Sequence, residues 1–168
     1  MTGLTWQLRR ATAADLVAIM PLEESIFLND AWSPETMRSE LRNSNCFYLV
    51  AFPPDRPEQI DGYAGLLAPA GANEGDIQTI AVAPAARRHG LGRVLMRQLI
   101  TEARTRGLAE VFLEVRADNP GAQSLYRELG FEELGVRPRY YQPDDVDALV
   151  MRLTLPAPVT ELATGGDA

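Results

Sequence analysis

The chain has 168 residues, 46% of them hydrophobic and 23% charged, with a net charge of −7. That length holds one domain with a real core and is too short for two comfortable ones, and the composition excludes a disordered, collagen-like or coiled-coil chain. All 16 bases are arginine, which excludes Schiff-base chemistry and a P-loop lysine, and the acidic balance argues against nucleic-acid binding, which needs a basic face.

Taken in order, residues 4–9 read as a strand. Thr12 caps a helix starting at Ala13, with Asp15 at its third position. Ser33-Pro34 opens a second helix, serine at the cap and proline in the first turn. Strands follow at 46–52, 60–68 and 76–83, rich in Val, Ile, Leu, Tyr and Phe. Pro53-Pro54-Asp55-Arg56-Pro57 is the loop between the first two. A helix over 91–106 carries Leu91, Val94, Leu95 and Leu99 on one stripe, and Gly107 ends it. Residues 109–116 alternate, with Val111, Leu113 and Val115 on one face and Phe112, Glu114 and Arg116 on the other. Asn119-Pro120 starts a helix with Ala122, Leu125, Tyr126 and Leu129 on one stripe, closed by Gly130. Strands at 131–137 and 147–155 complete the order. Residues 1–155 form one mixed α/β domain, a single sheet with helices on both faces. Residues 156–168 read as a flexible tail.

No apolar run reaches the ~18 residues of a membrane span. Met1 to Arg10 lacks the apolar core and cleavage site of a secretory signal. The single cysteine, Cys46, excludes an internal disulfide and a thiolate zinc cluster, and no metal site is readable. A reducing cytoplasm, with no membrane partner, is the expected setting. Cys46 reads as a small buried apolar residue on a strand rather than a nucleophile.

Charge is uneven. Residues 87–106 carry six arginines and one acid, inside flanks that are each net −6. Such a run is either a solvated helix face or an anion site of about phosphate size. It opens with Arg87-Arg88-His89-Gly90-Leu91-Gly92-Arg93, between a strand and a helix. Glycines there let backbone amides approach a ligand. The helix adds unpaired N–H groups and the positive end of its dipole. Together these suit a pyrophosphate. The pattern is neither the dinucleotide G-x-G-x-x-G nor a Walker motif.

Ile80-Ala81-Val82 followed by R-x-x-G-x-G is similar to the acetyl-CoA motif of the GNAT acyltransferase superfamily. Asn119-x-x-Ala122-x-x-Leu125-Tyr126-x-x-x-Gly130-Phe131 resembles the second signature of that family. The resemblance spans roughly residues 5–155. It implies a GNAT fold, a mixed, mostly antiparallel sheet splayed at the acetyl-CoA site. The free backbone of Ile80, Ala81 and Val82 would pair with the pantetheine arm. With Arg87 opening the motif, the amides of Arg88, His89, Gly90, Leu91, Gly92 and Arg93 would hold the pyrophosphate. Asn119 would contact the pantetheine, cap its helix, or both.

Acyl transfer to an amine needs a base to take the ammonium proton and an acid to protonate the departing thiolate. From position alone, Glu114 is either that base or half of a salt bridge to Arg116 or a neighbouring strand. Tyr126, with an ordinary pKa near ~10, is either that acid or a core aromatic. The string Leu113-Glu114-Val115-Arg116-x-Asp118-Asn119 with Tyr126 resembles one branch, the bacterial ribosomal-protein alanine N-acetyltransferases of the RimI type. That likeness implies Glu114 as general base and Tyr126 as general acid. Ala31-Trp32-Ser33 matches the Pro-Trp-Ser of this branch except for alanine. Arg137-x-Arg139-Tyr140-Tyr141 matches its Arg-Arg-x-Tyr-Tyr loosely, with Pro138 interposed. The implied reaction moves acetyl from acetyl-CoA to the N-terminal alanine of a small-subunit ribosomal protein, a basic partner, by direct attack in a ternary complex. Trp32 and Tyr141 either wall the acceptor groove or belong to the core. Glu23, Glu24, Asp30 and Glu35 are either acceptor contacts or plain surface charge. The rival readings are a GNAT acting on other N-termini, lysines or a small amine, and a non-catalytic acetyl-CoA-binding module.

Overall fold

The computed structural model describes residues 5–157. Most of the expected tail, residues 158–168, lies outside the described residues, and Pro156 and Ala157 are exposed. The elements run β1 (Gln7–Arg10), α1 (Leu16–Phe27), α2 (Pro34–Arg42), β2 (Cys46–Phe52), β3 (Gly62–Leu67), β4 (Glu74–Val82), α3 (Leu91–Thr105), β5 (Glu110–Arg116), α4 (Pro120–Glu128), β6 (Glu132–Tyr141) and β7 (Val146–Thr154).

Local chemistry explains most boundaries. The helix expected from Ala13 begins instead as a 3-10 turn over Ala13–Asp15. The Asp15 carboxylate accepts from the Thr12 amide at 2.8 Å and is held on both oxygens by Arg9. That pairing keeps the Asp15 carboxyl below the usual range. Ser33 caps α2 by accepting from the Thr36 amide at 3.1 Å. Gly107 and Gly130 follow α3 and α4 with φ of 77° and 103°, a region open to glycine at little cost.

One seven-stranded sheet is ordered β1-β2-β3-β4-β5-β7-β6. Every neighbouring pair is antiparallel except β4 with β5. That parallel pair is joined only at Glu74–Glu110, Gly75–Val111 and Asp76–Phe112. Beyond it β4 stays bonded to β3 as far as Val82, and β5 stays bonded to β7 as far as Arg116. The sheet is thus splayed along Ile77–Val82.

A bulge sits where the strands part. Leu66 pairs with Ile77 and Gly65 with Thr79, leaving Gln78 extra. Bulges bend a strand and increase its twist. The Tyr48 hydroxyl donates to Gln78 Oε1 at 2.6 Å. The Tyr48 ring covers Gly65, where a Cβ would come within 2.3 Å of it.

Helices cover both faces. On one, Leu91, Leu95, Met96, Leu99 and Ile100 of α3 and Tyr126 of α4 pack on Leu66, Val111 and Leu113. On the other, Leu16, Ile19 and Met20 of α1 and Met37 of α2 pack on Tyr48, Val50 and Tyr63. Each large side chain so buried contributes roughly 1.5–3 kcal/mol. Val94, expected on the α3 stripe, is 43% exposed; Met96 and Ile100 carry that face instead, because the sheet meets α3 one position further round.

Candidate active site

The parting of β4 and β5 leaves a cleft of about 420 Å³. Its walls come from both sides of the sheet: Glu23, Ile26 and Phe27 of α1 on one, Ala122 and Tyr126 of α4 on the other. The cleft therefore passes through the sheet rather than lying on it. Ile80, Ala81, Val82, Arg87, Glu114, Asn119, Tyr126, Trp32 and Tyr141 all line it. Residues scattered over more than a hundred positions meet there.

The glycine turn leads into α3. Gly90 is the helix N-cap at φ 82°, with no side-chain cap bond, and Arg88 is also left-handed at φ 67°. The first amides of α3 thus lack a side-chain acceptor, which fits an anion. Several side chains of the turn already have protein partners. Arg87 Nε donates to Val82 O at 3.0 Å. Arg93 is paired with Glu128 of α4. The His89 ring lies 6.0 Å from that of Trp6. Leu91 is buried in the core, so only its backbone is available. Asn119 Oδ1 accepts from the Ala122 amide at 3.2 Å, capping α4, while the residue also lines the cleft.

Glu114 is half-buried on the outward face of β5, and Arg137 Nε lies 3.1 Å from its carboxylate. Of the two salt-bridge partners open in the sequence, Arg116 is not used. Tyr126 is 7% exposed, and burial alone pushes its phenol up to about 12.

A second, larger cavity of about 760 Å³ adjoins the first. Trp32, Tyr141, Asp30 and Glu114 line both. Its remaining polar wall is Glu74, Asp76, Gln78, Arg137, Tyr140 and Gln142. Burial, then the Glu114 and Glu74 carboxylates, push the Asp76 carboxyl up. The Glu114 carboxylate likewise raises the Tyr140 phenol. Burial chiefly, and then Glu114, raise Tyr141 to about 12.

Sequence reasoning missed Asp76, Gln78 and Tyr140 as wall residues, since each depends on which strands are neighbours. It also left Glu23 as a possible surface charge. Glu23 is only 2% exposed. It accepts from the Tyr63 hydroxyl at 2.6 Å and the Trp32 amide at 3.0 Å, and burial raises its carboxyl. Cys46 is buried as expected; burial and then the Glu40 carboxylate push its thiol up to about 12.

Residues 16–131, from the first turn of α1 through the end of the glycine turn and α4, match the model of the acetyltransferase (GNAT) family. The chain belongs to the GNAT acetyltransferase family. Among relatives of this GNAT chain, an uncharacterized protein of Mycobacterium leprae is 40% identical over 144 residues, 84% of this chain and 38% of that protein. N-alpha-acetyltransferase RimI of Mycobacterium tuberculosis is 38% identical over 144 residues, 84% of this chain and 87% of that one. The crystal structure of the ribosomal-protein-S18-alanine N-acetyltransferase of Escherichia coli superposes with a TM-score of 0.80 at 29% identity, covering 93% of this chain and 99% of the other. The splayed, mostly antiparallel sheet is thus the GNAT fold, as the motifs imply. Among the described residues no helix is long and apolar enough to cross a membrane.

Proposed function

We propose that this GNAT chain transfers the acetyl group of acetyl-CoA to the α-amino group of an N-terminal alanine on a small-subunit ribosomal protein. The observation that carries the reading is a cleft through the sheet with a carboxylate, Glu114, and an unionised phenol, Tyr126, on its walls. The name of the Escherichia coli relative supports the ribosomal alanine as acceptor, and that of the Mycobacterium tuberculosis relative supports an α-amino group.

Acetyl-CoA supplies the thioester. On its β5 side, where it is unpaired, the run of β4 containing Ile80, Ala81 and Val82 offers backbone groups to its pantetheine amides, and Asn119 lines the same cleft. The uncapped amides from Arg88 to Arg93 take the pyrophosphate, and the arginines set positive charge around it. Glu114 takes a proton from the acceptor ammonium. The neutral amine attacks the thioester carbonyl; the C–N bond forms and the C–S bond breaks. Tyr126 gives its proton to the departing sulfur, and the second proton that the attacking nitrogen loses on becoming an amide restores the phenol. Burial keeps the proton on the phenol at neutral pH, so it is present to be given as charge builds on the sulfur. Holding both reactants in one cleft supplies much of the acceleration.

A terminal amine, with a pKa of ~7.7–8.0, suits a carboxylate base better than lysine at ~10.4. Trp32 and Tyr141 flank the passage between the two cavities and would wall the acceptor groove. The acids of the larger cavity favour a basic peptide. A ribosomal acceptor brings a cytoplasmic setting with it, with no direct nucleic-acid or membrane contact.

The test is acetyl transfer to a peptide carrying the alanine N-terminus of the ribosomal protein, beside the same peptide with a blocked amine, a lysine peptide and small amines. Turnover on the free alanine alone is expected. Equal turnover on small amines overturns the acceptor, and binding of acetyl-CoA without turnover on any amine overturns the enzyme reading.

A further inference from the structure

We propose that Arg116 is a positioning residue whose guanidinium joins the two loops walling the acceptor groove into one rim, and so sets the affinity for the acceptor peptide. That role rests on the acyl-transfer reading for what the groove holds.

Arg116 ends β5 on the same face as Glu114. Asp118 grips it side-on, accepting from Nε at 2.9 Å and from Nη2 at 3.0 Å. The remaining donors point to two distant segments. Nη1 donates to Asp30 at 2.6 Å, and Nη2 to Asp144 at 3.3 Å. The guanidinium also stands 5.1 Å from the centre of the Tyr141 ring.

The two segments are the opposite walls of the groove. Asp30 ends the 3-10 turn Leu28–Asp30, two residues before Trp32. Asp144 lies in the β6–β7 turn, three residues after Tyr141. Trp32 is already fixed from beneath, because its amide donates to buried Glu23. Arg116 passes that constraint across to the hairpin. The fork of a guanidinium is needed, since one rigid plane must serve three carboxylates in three directions. Without the arginine, Asp30, Asp118 and Asp144 repel one another and the walls part. Among the described residues β4 and α3 contribute no side chain to this network, and Asn119, beside Asp118, meets Arg116 only through its backbone amide, which donates to the Arg116 carbonyl at 3.1 Å.

The experiment compares wild type with Arg116→Gln, Arg116→Lys and Asp144→Asn. Hydrogen exchange is read at residues 28–33 and 140–146, and KM is measured separately for the alanine peptide and for acetyl-CoA. Both Arg116 variants should exchange faster in both segments. Their peptide KM should rise about tenfold while the acetyl-CoA KM stays within about twofold, a loss of acceptor binding alone. Asp144→Asn should loosen residues 140–146 only. Unchanged exchange in either segment of the Arg116 variants overturns the proposal. So does a parallel rise in both KM values, or a wild-type peptide KM in Arg116→Lys. Arg116→Lys keeps the charge and carries the test if Arg116→Gln does not fold. If wild type acetylates no peptide, the functional reading falls, and exchange alone decides whether the clamp exists.

Discussion

Arg137 reaches over β7 from the sheet edge to place its Nε 3.1 Å from the Glu114 carboxylate. The strand between them presents Ala148, paired with both Arg116 and Arg137 and fully buried. A small residue in that row leaves room for the guanidinium to fold across.

On the proposed reading an incoming ammonium competes with Arg137 for Glu114. The arginine is largely exposed, so the pair is a weak one. Arg137→Gln should therefore lower the peptide KM about two- to fivefold, the equivalent of about 0.4–1 kcal/mol, with kcat little changed. Steady-state kinetics at fixed saturating acetyl-CoA checks this; a higher KM would mean that Arg137 helps to hold the acceptor.

Glu114→Gln removes the proposed base and keeps the shape. Loss of a general base costs about 10²- to 10⁴-fold. The loss should shrink as pH rises past the ~7.7–8.0 of a terminal amine, because the nucleophile then arrives already neutral. A rate defect constant from pH 6 to 10 would assign Glu114 to positioning instead.

Tyr126→Phe should lower kcat and leave the acetyl-CoA KM near wild type. It should also change stability in alkali. The folded phenol titrates near 12 and the unfolded one near ~10. The folded state therefore holds its proton where the unfolded state has lost it, and stability falls as pH rises from about 10 to 12. Denaturant melts at pH 9 and 11 should show wild type losing about 1 kcal/mol more than Tyr126→Phe.

Gly65→Ala would drive a methyl into the Tyr48 ring at 2.3 Å. Overpacking of this kind costs about 1–3 kcal/mol. Because Tyr48 also holds Gln78 at the bulge, the acetyl-CoA KM should rise as well. Thermal melts and kinetics on the same sample check both; a wild-type KM would uncouple the bulge from the cleft.

The sequence reads best where a signal is local. Serine, asparagine and glycine mark the ends of α2, α3 and α4, and the apolar run at 46–52 coincides with β2. The glycine turn is legible in its own residues, whereas Glu114 and Tyr126 are singled out only by the resemblance of the strings around them. What escaped depends on order across the sheet. Arg137 meets Glu114 only because β6 lies beyond β7. Glu23 is buried only because Tyr63 and the Trp32 amide face it from other elements. β6 runs on to Tyr141 past Pro138 because an edge strand tolerates a missing donor, with its register shifting between Arg137 and Tyr141.

The seam between β4 and β5 has a consequence for the lifetime of the molecule. Whatever fills it completes a sheet that otherwise has an open edge at its centre. Such a ligand adds stability by mass action, about 2.7 kcal/mol at a concentration a hundred times its Kd. On the proposed reading that ligand is acetyl-CoA, and resistance to heat and to proteases should then rise with its concentration.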